Sequence, residues 1–182
     1  MPALVLIDLQ CAIDHPSWTK HGPRNNPEAE QNIARLLSAW RQAGRTVIHI
    51  RHDSTEPEST FRPGQPGHDF KPEATPLPGE LVIPKQTNSA FIGTPLAETL
   101  HNLGVRRVCF AGVITNNSVE ATVRMSGNLG FETYLIEDAC FTFARPDYTG
   151  TLHIAEEVHA MSLANLSGEY ATIVTTAQAI SL

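Results

Sequence analysis

Residues 3–7, Ala-Leu-Val-Leu-Ile, form an unbroken apolar run that stops at Asp8. A run with no polar alternation suits a strand buried on both faces, the setting of a central strand in a parallel sheet. Further strand-like runs follow at 46–50, 81–83, 107–111, 132–136 and 171–174. Helix-like segments separate most of them. Residues 27–43 carry Ile33, Leu36, Leu37 and Trp40 at helical spacing, and Gly44 closes them. Residues 94–102 read as a helix opened by Thr94 and Pro95. Helices are also expected over 117–129, 151–166 and 175–180. Strands joined by helical crossovers predict a three-layer α/β fold: a six-stranded, mainly parallel sheet with helices on both faces, in one domain over residues 1–182.

The chain's 41% hydrophobic and 18% charged residues are an ordinary globular balance. Its net charge of −6 advertises no basic face for nucleic acid. Apolar stretches fall far short of the ~20 residues a membrane helix needs. Three cysteines without paired spacing, Cys11, Cys109 and Cys140, point away from a disulfide framework. No leader-like segment opens the sequence. The expectation is a cytoplasmic protein acting on a small molecule, with no nucleic-acid or membrane partner. The first strand-to-helix turn lacks Gly-x-Gly-x-x-Gly, which argues against a dinucleotide site. Residues 53–79 are rich in Pro, Gly, Glu, Ser and Thr, and a loop that long is a lid or a surface excursion.

Ligands of parallel α/β sheets bind beyond the carboxyl ends of the strands. Asp8, Lys85 and Ser118 all fall at such ends. Singly, each is an ordinary polar residue after a strand. Together they supply a carboxylate for proton transfer, a cation and a nucleophile, the parts of an amide-type hydrolase. Asn117 is placed to cap the following helix, with Glu120 completing a capping box. Ser118 would then sit in a first helical turn whose free N–H groups favour a developing oxyanion.

Three ordered segments carry a resemblance: Leu6-Ile7-Asp8-Leu9-Gln10, then Lys85-Gln86-Thr87-Asn88-Ser89-Ala90-Phe91, then Ala111-Gly112-Val113-Ile114-Thr115-Asn116-Asn117-Ser118-Val119-Glu120-Ala121-Thr122, continuing to Cys140. The chain resembles the isochorismatase-like cysteine hydrolases, a group that includes nicotinamidases, N-carbamoylsarcosine amidase and streptothricin hydrolase-like enzymes. The resemblance implies Asp8 as general acid/base, Lys85 as supporting cation, and the backbone N–H groups of Ile114 and Ser118 as oxyanion hole. It also implies a cis Val113–Ile114 peptide and a homo-oligomer, dimer or tetramer.

The family's nucleophilic cysteine maps onto Ser118. A serine there is either a replacement made to trap a ligand or a native change of activity. The first is favoured because everything around it still fits a cysteine site. Either way the serine form is expected to be impaired. An isochorismatase-type vinyl-ether hydrolase using Asp8 as acid, without covalent attack, and a non-catalytic ligand-binding homologue are the alternatives.

Gln10, Phe91, Asn116 and His68 are candidates for lining the substrate pocket. Core packing is an equal reading for Phe91, and facing water is the simpler one for His68. No cofactor is expected. Arg51-His52-Asp53-Ser54 lacks the Asp-x-His metal pattern of the nicotinamidases, which leaves His52, Asp53 and His68 as the residual metal set. Glu156 and His159, one turn apart, read first as a solvated helix face.

Overall fold

The apolar run at the start of the chain is paired on both sides. In the computed structural model, which describes residues 1–182, β1 (Ala3–Ile7) is fully buried and lies between two parallel neighbours. The elements then run α1 (Ala29–Gln42), β2 (Val47–His52), β3 (Leu81–Lys85), α2 (Leu96–Asn102), β4 (Arg107–Val113), α3 (Glu120–Asn128) and β5 (Glu132–Phe141). A short hairpin, β6 (Arg145–Pro146) and β7 (Leu152–His153), precedes α4 (Ala155–Leu166), β8 (Thr172–Val174) and α5 (Thr176–Ile180). The sheet order is β3-β2-β1-β4-β5-β8, and all five pairings are parallel. The chain therefore winds outward from β1 in one direction and then, from β4, in the other. Right-handed crossovers in opposite directions place their helices on opposite faces. In keeping with this, α1 packs against α5, and α3 packs against α4.

This order makes β1 and β4 the switch point, where a crevice opens beyond the strand ends. The core beneath it is continuous, with Leu4, Leu6, Ile7, Trp40 and Phe110 almost wholly buried. Trp40 satisfies its indole N–H by donating to the Pro2 carbonyl at 3.0 Å.

Three sequence expectations change. The fifth strand continues past residue 136 to Phe141. Glu137 and Asp138 break the apolar pattern there, but Asn26 donates to the Glu137 and Cys140 carbonyls and Asn32 to the Asp138 carbonyl. Side chains thus supply the partners an irregular strand lacks. The helix expected over 151–166 starts at Ala155. Its first residues form β7 instead, because the Asp147 carboxylate accepts from the Thr149 and Thr151 amides and closes a turn.

The long loop is the third. It carries two single 3₁₀ turns, Pro66–His68 and Pro72–Ala74, and is strapped to the segment after β1. Cys11 N donates to Asp69 O, Lys71 N to Leu9 O, and Lys71 Nζ to both Asp14 carboxylate oxygens. A methyl group added at Gly67 would lie 2.6 Å from Thr60 O and 2.9 Å from Ala12 Cα. The loop is thus packed down on this segment.

At the opposite end of the sheet, Glu80 gathers Arg41 (2.7 and 2.9 Å), His49 Nε2 (2.8 Å) and Leu77 N (2.9 Å). Burial alone would raise this carboxyl, but these donors hold it down from 4.5 to about 2. A carboxylate depressed on folding stabilises the fold above its unfolded value and loses that contribution as pH falls through its folded one. Glu80 is therefore expected to contribute about 3 kcal/mol at neutral pH, lost between pH 4.5 and about 2. Urea denaturation as a function of pH should show that loss, and Glu80→Gln should flatten it. An unchanged acid limb in the variant would assign the loss to other groups.

Candidate active site

The register of the sheet sets four strand ends side by side. Ile7 lies opposite both Ile50 and Gly112, and His52 lies opposite Lys85. The residue after Ile7, Asp8, leaves the strand with φ of +53°, a conformation few residues other than glycine adopt. At the end of β4 the Val113–Ile114 peptide is cis, and Thr115–Val119 form a single π-helical turn before α3. Such turns recur at functional sites. Ser118 lies in this turn and is buried.

The three residues singled out from strand ends meet. Lys85 Nζ lies 2.8 Å from Asp8 Oδ2 and 3.3 Å from Ser118 Oγ. It also reaches the Thr87 carbonyl at 3.0 Å and His52 Nδ1 at 3.2 Å. The Lys85 side chain has no exposure and that of Asp8 has 5%.

An ammonium has three protons and this one has four partners. Ser118 is the most distant, so its oxygen is the one most readily released. The Ser118 hydroxyl accepts from Lys85 and makes no hydrogen bond to Asp8, so the ammonium is what links the two. Asp8 Oδ1 is buried and has no hydrogen-bond partner. Burial pushes the Asp8 carboxyl above its ordinary value, and Lys85 and His52 offset this only in part. Burial, and after it the charge of Lys85, push His52 below the usual imidazole range. His52 is thus a neutral ring whose Nδ1 accepts from Lys85.

His52 was visible in the sequence only as a possible metal ligand. Its place at the carboxyl end of β2, beside β1, was the available signal. The other members of that set point elsewhere: Asp53 accepts from Arg51 at 2.7 and 2.9 Å and is paired with His68 Nε2 at 2.8 Å. No group of three or more His, Cys, Asp or Glu side chains converges in a metal-holding geometry. His159 is buried, not solvated, and its Nδ1 meets Thr115 Oγ1 at 2.9 Å, under the π-helical turn.

Of the residues considered for substrate contact, Gln10 is fully buried. Its amide donates to the His52 and His68 carbonyls and accepts from the His52 amide. It braces the strand ends and does not face a cleft. Phe91 packs on Phe110 and Phe131 in the core. His68 is committed to Asp53, and Asn116 accepts from Thr142 Oγ1. The capping box does not form. Asn117 caps nothing, and the Glu120 carboxylate instead accepts from Ser162, Asn165 and Arg124. The competing acceptor geometry belongs to α4, which the local sequence pattern does not contain.

A cleft of about 530 Å³ opens among Ser17, Trp18, Lys20 and His21, Ile114 and Asn117 at the turn that carries Ser118, and residues 142–146 after β5; Asp8, Lys85 and Ser118 themselves do not line it. The N–H of Ile114, one of its lining residues, donates to no protein acceptor. Trp18 is fixed there by its indole N–H on Ala12 O (3.0 Å) and by stacking on Phe143 at 5.6 Å.

A doubly wound sheet that gathers a carboxylate, an amine and a hydroxyl at its switch point has the parts of a hydrolytic site. The isochorismatase domain profile matches residues 2–178, and the chain belongs to the isochorismatase family. A crystal structure of an isochorismatase-family protein from Chromobacterium violaceum superposes with a TM-score of 0.95 at 60% identity, covering 99% of this chain and 92% of that one. The isochorismatase family protein YrdC of Bacillus subtilis is 45% identical over 98% of this chain and 94% of its own length. The ureidoacrylate amidohydrolase of Variovorax paradoxus is 28% identical over 75% of this chain and 67% of its own. The chain is thus an isochorismatase-family hydrolase with amidohydrolase relatives. No helix is long and apolar enough to cross a membrane.

Proposed function

We propose that this protein hydrolyses a C–N bond in a small amide, ureide or lactam through an Asp8–Lys85–Ser118 site, and that the serine form is slow. The observation that carries this reading is the single ammonium, Lys85, bonded at once to the Asp8 carboxylate and to the Ser118 hydroxyl. The amidohydrolase relative supports the bond type.

Asp8 takes the proton as Ser118 Oγ attacks the carbonyl carbon. The N–H groups of Ile114 and Ser118 receive the oxyanion. As the C–N bond breaks, the leaving nitrogen takes the proton from Asp8. An acyl ester remains on Ser118. Water then attacks it, giving its proton to Asp8, and the acid product leaves as Ser118 regains a proton. The raised carboxyl of Asp8 suits both directions of transfer.

The weak link is the hydroxyl. A thiol ionises near pH 8.5 and an unassisted hydroxyl several units higher, each unit being ~1.4 kcal/mol. Ser118→Cys is therefore expected to raise kcat/KM on a panel of small amides and ureides by about 100-fold or more, and iodoacetamide should abolish the gain. Two native thiols are protected, because burial pushes Cys109 and Cys140 up to about 12; the partly exposed Cys11 is controlled for by labelling the serine form, which carries it too. No gain over the serine form on any panel member would sink the reading.

A second reading has one observation in its favour. The same raised carboxyl can hold a proton for a vinyl ether, with no covalent step. Turnover of isochorismate that survives Ser118→Ala would select it.

A further inference from the structure

The cleft lined by Trp18, Ile114 and Asn117 has an electrostatic character that the hydrolytic reading does not use. No Asp or Glu lines it, in a chain of net charge −6, while Lys20, His21 and Arg145 do. Lys20 and Arg145 are exposed and form no ion pair. Arg145 also borders a second hollow with Glu120, Asp147 and Glu157. Those carboxylates are engaged elsewhere: Glu120 with Arg124, and Asp147 and Glu157 with His153. Trp18 and Phe143 form an aromatic wall of the same cleft, which Ile114 also lines. A volume of about 530 Å³ suits a small molecule. The cleft thus combines an amide without a protein acceptor, a flat apolar surface and two unpaired cations.

We propose that this cleft selects substrates carrying a carboxylate, which Lys20 and Arg145 bind while the planar or apolar body lies on Trp18. The inference rests on the hydrolytic reading for its reacting end, but its charge preference can be measured without turnover. Two unpaired cations lose hydration on meeting a carboxylate and gain charge-assisted hydrogen bonds, and Arg145 can offer a bidentate pair. The aromatic wall adds contact area that a bare inorganic anion cannot use. A neutral molecule of the same shape keeps the wall and loses the rim.

The test is titration of the unmodified chain with phenylacetate, and with 2-phenylethanol as the neutral match, by calorimetry and Trp18 fluorescence. Phenylacetate should bind at least 10-fold tighter than the alcohol, and added salt should narrow the gap. Lys20→Ala/Arg145→Ala should remove that preference while leaving the alcohol's affinity unchanged. Both residues are exposed and unpaired, so the double variant should melt as the parent does. Trp18→Phe should abolish the fluorescence change, which places the ligand in this cleft. Equal binding of acid and alcohol, no binding of either, or a preference that survives the double variant would overturn the proposal. Selective acid binding in a protein whose Ser118→Cys form cleaves no amide would instead overturn the hydrolytic reading and leave the anion site standing.

Discussion

Asp8→Asn is expected to lower kcat/KM of the Ser118→Cys protein by about 1,000-fold while leaving its melting temperature unchanged or slightly higher. The two halves have one cause. Asparagine keeps an oxygen for Lys85 Nζ, now 2.8 Å from the carboxylate, but it cannot take a proton. A raised carboxyl means that the folded protein disfavours the ionised form, burial outweighing what Lys85 and His52 return. The stability tied to its protonated form is complete below the unfolded value of 3.8 and fades as pH rises through the raised one. At neutral pH the neutral amide therefore relieves a cost, as is common at active sites. Activity follows the opposite sign. The base form is needed, so kcat/KM of the parent should fall as pH drops through the raised value, with its acid limb above the ordinary ~3.9 of an aspartate. Rate profiles and thermal melts on the same preparations check both. A variant that kept a tenth of the activity would remove Asp8 from proton transfer.

The sheet and the meeting of Asp8, Lys85 and Ser118 were legible because both follow from one regularity. Apolar runs without alternation mark parallel strands, and the polar residue that ends each run marks the face where a crevice opens. Ranges were less legible wherever a side chain from afar supplied a backbone partner. Glu137 and Asp138 read as the end of a strand, and only Asn26 and Asn32, more than a hundred positions away, let the strand continue. Gln10 looked like a pocket residue because its tie to two backbone segments, 42 and 58 positions on, leaves no local trace. Asn117 and Glu120 had the spacing of a capping box, but α4 offered Glu120 better donors in Ser162 and Asn165. His52 and the cleft cations follow the same pattern. Their chemistry depends on which strands and loops become neighbours, and spacing along the chain does not encode it.

The glycine just before the cis peptide ties the fold to the candidate site more tightly than any of that site's side chains. Gly112 has φ of +129°, and a Cβ there would lie 2.2 Å from Ile7 O and 2.7 Å from Ile7 N. Those atoms are backbone of the neighbouring central strand and have no rotamer through which to yield. Gly112 is Ile7's partner in the β1–β4 ladder, next to a register shift after Phe110. Any retreat of Ile7 moves Asp8, and any retreat of Gly112 moves Ile114. Gly112→Ala combines a left-handed backbone, about 1–2 kcal/mol for an L-residue, with overpacking of about 1–3 kcal/mol or more. A loss of about 4 kcal/mol is expected, enough to unfold a protein of ordinary stability in part.

Gly130 separates the two contributions. It has φ of +84° with nothing within 4 Å of its would-be Cβ, so Gly130→Ala carries the backbone strain alone and should cost about 1–2 kcal/mol. Urea denaturation of the two variants should differ by at least 2 kcal/mol, and the folded fraction of Gly112→Ala should be defective in turnover while Gly130→Ala is not. Equal losses would mean that β1 and β4 can move apart freely, and then the strand ends could not hold one amine 2.8 Å from a carboxylate and 3.3 Å from a hydroxyl.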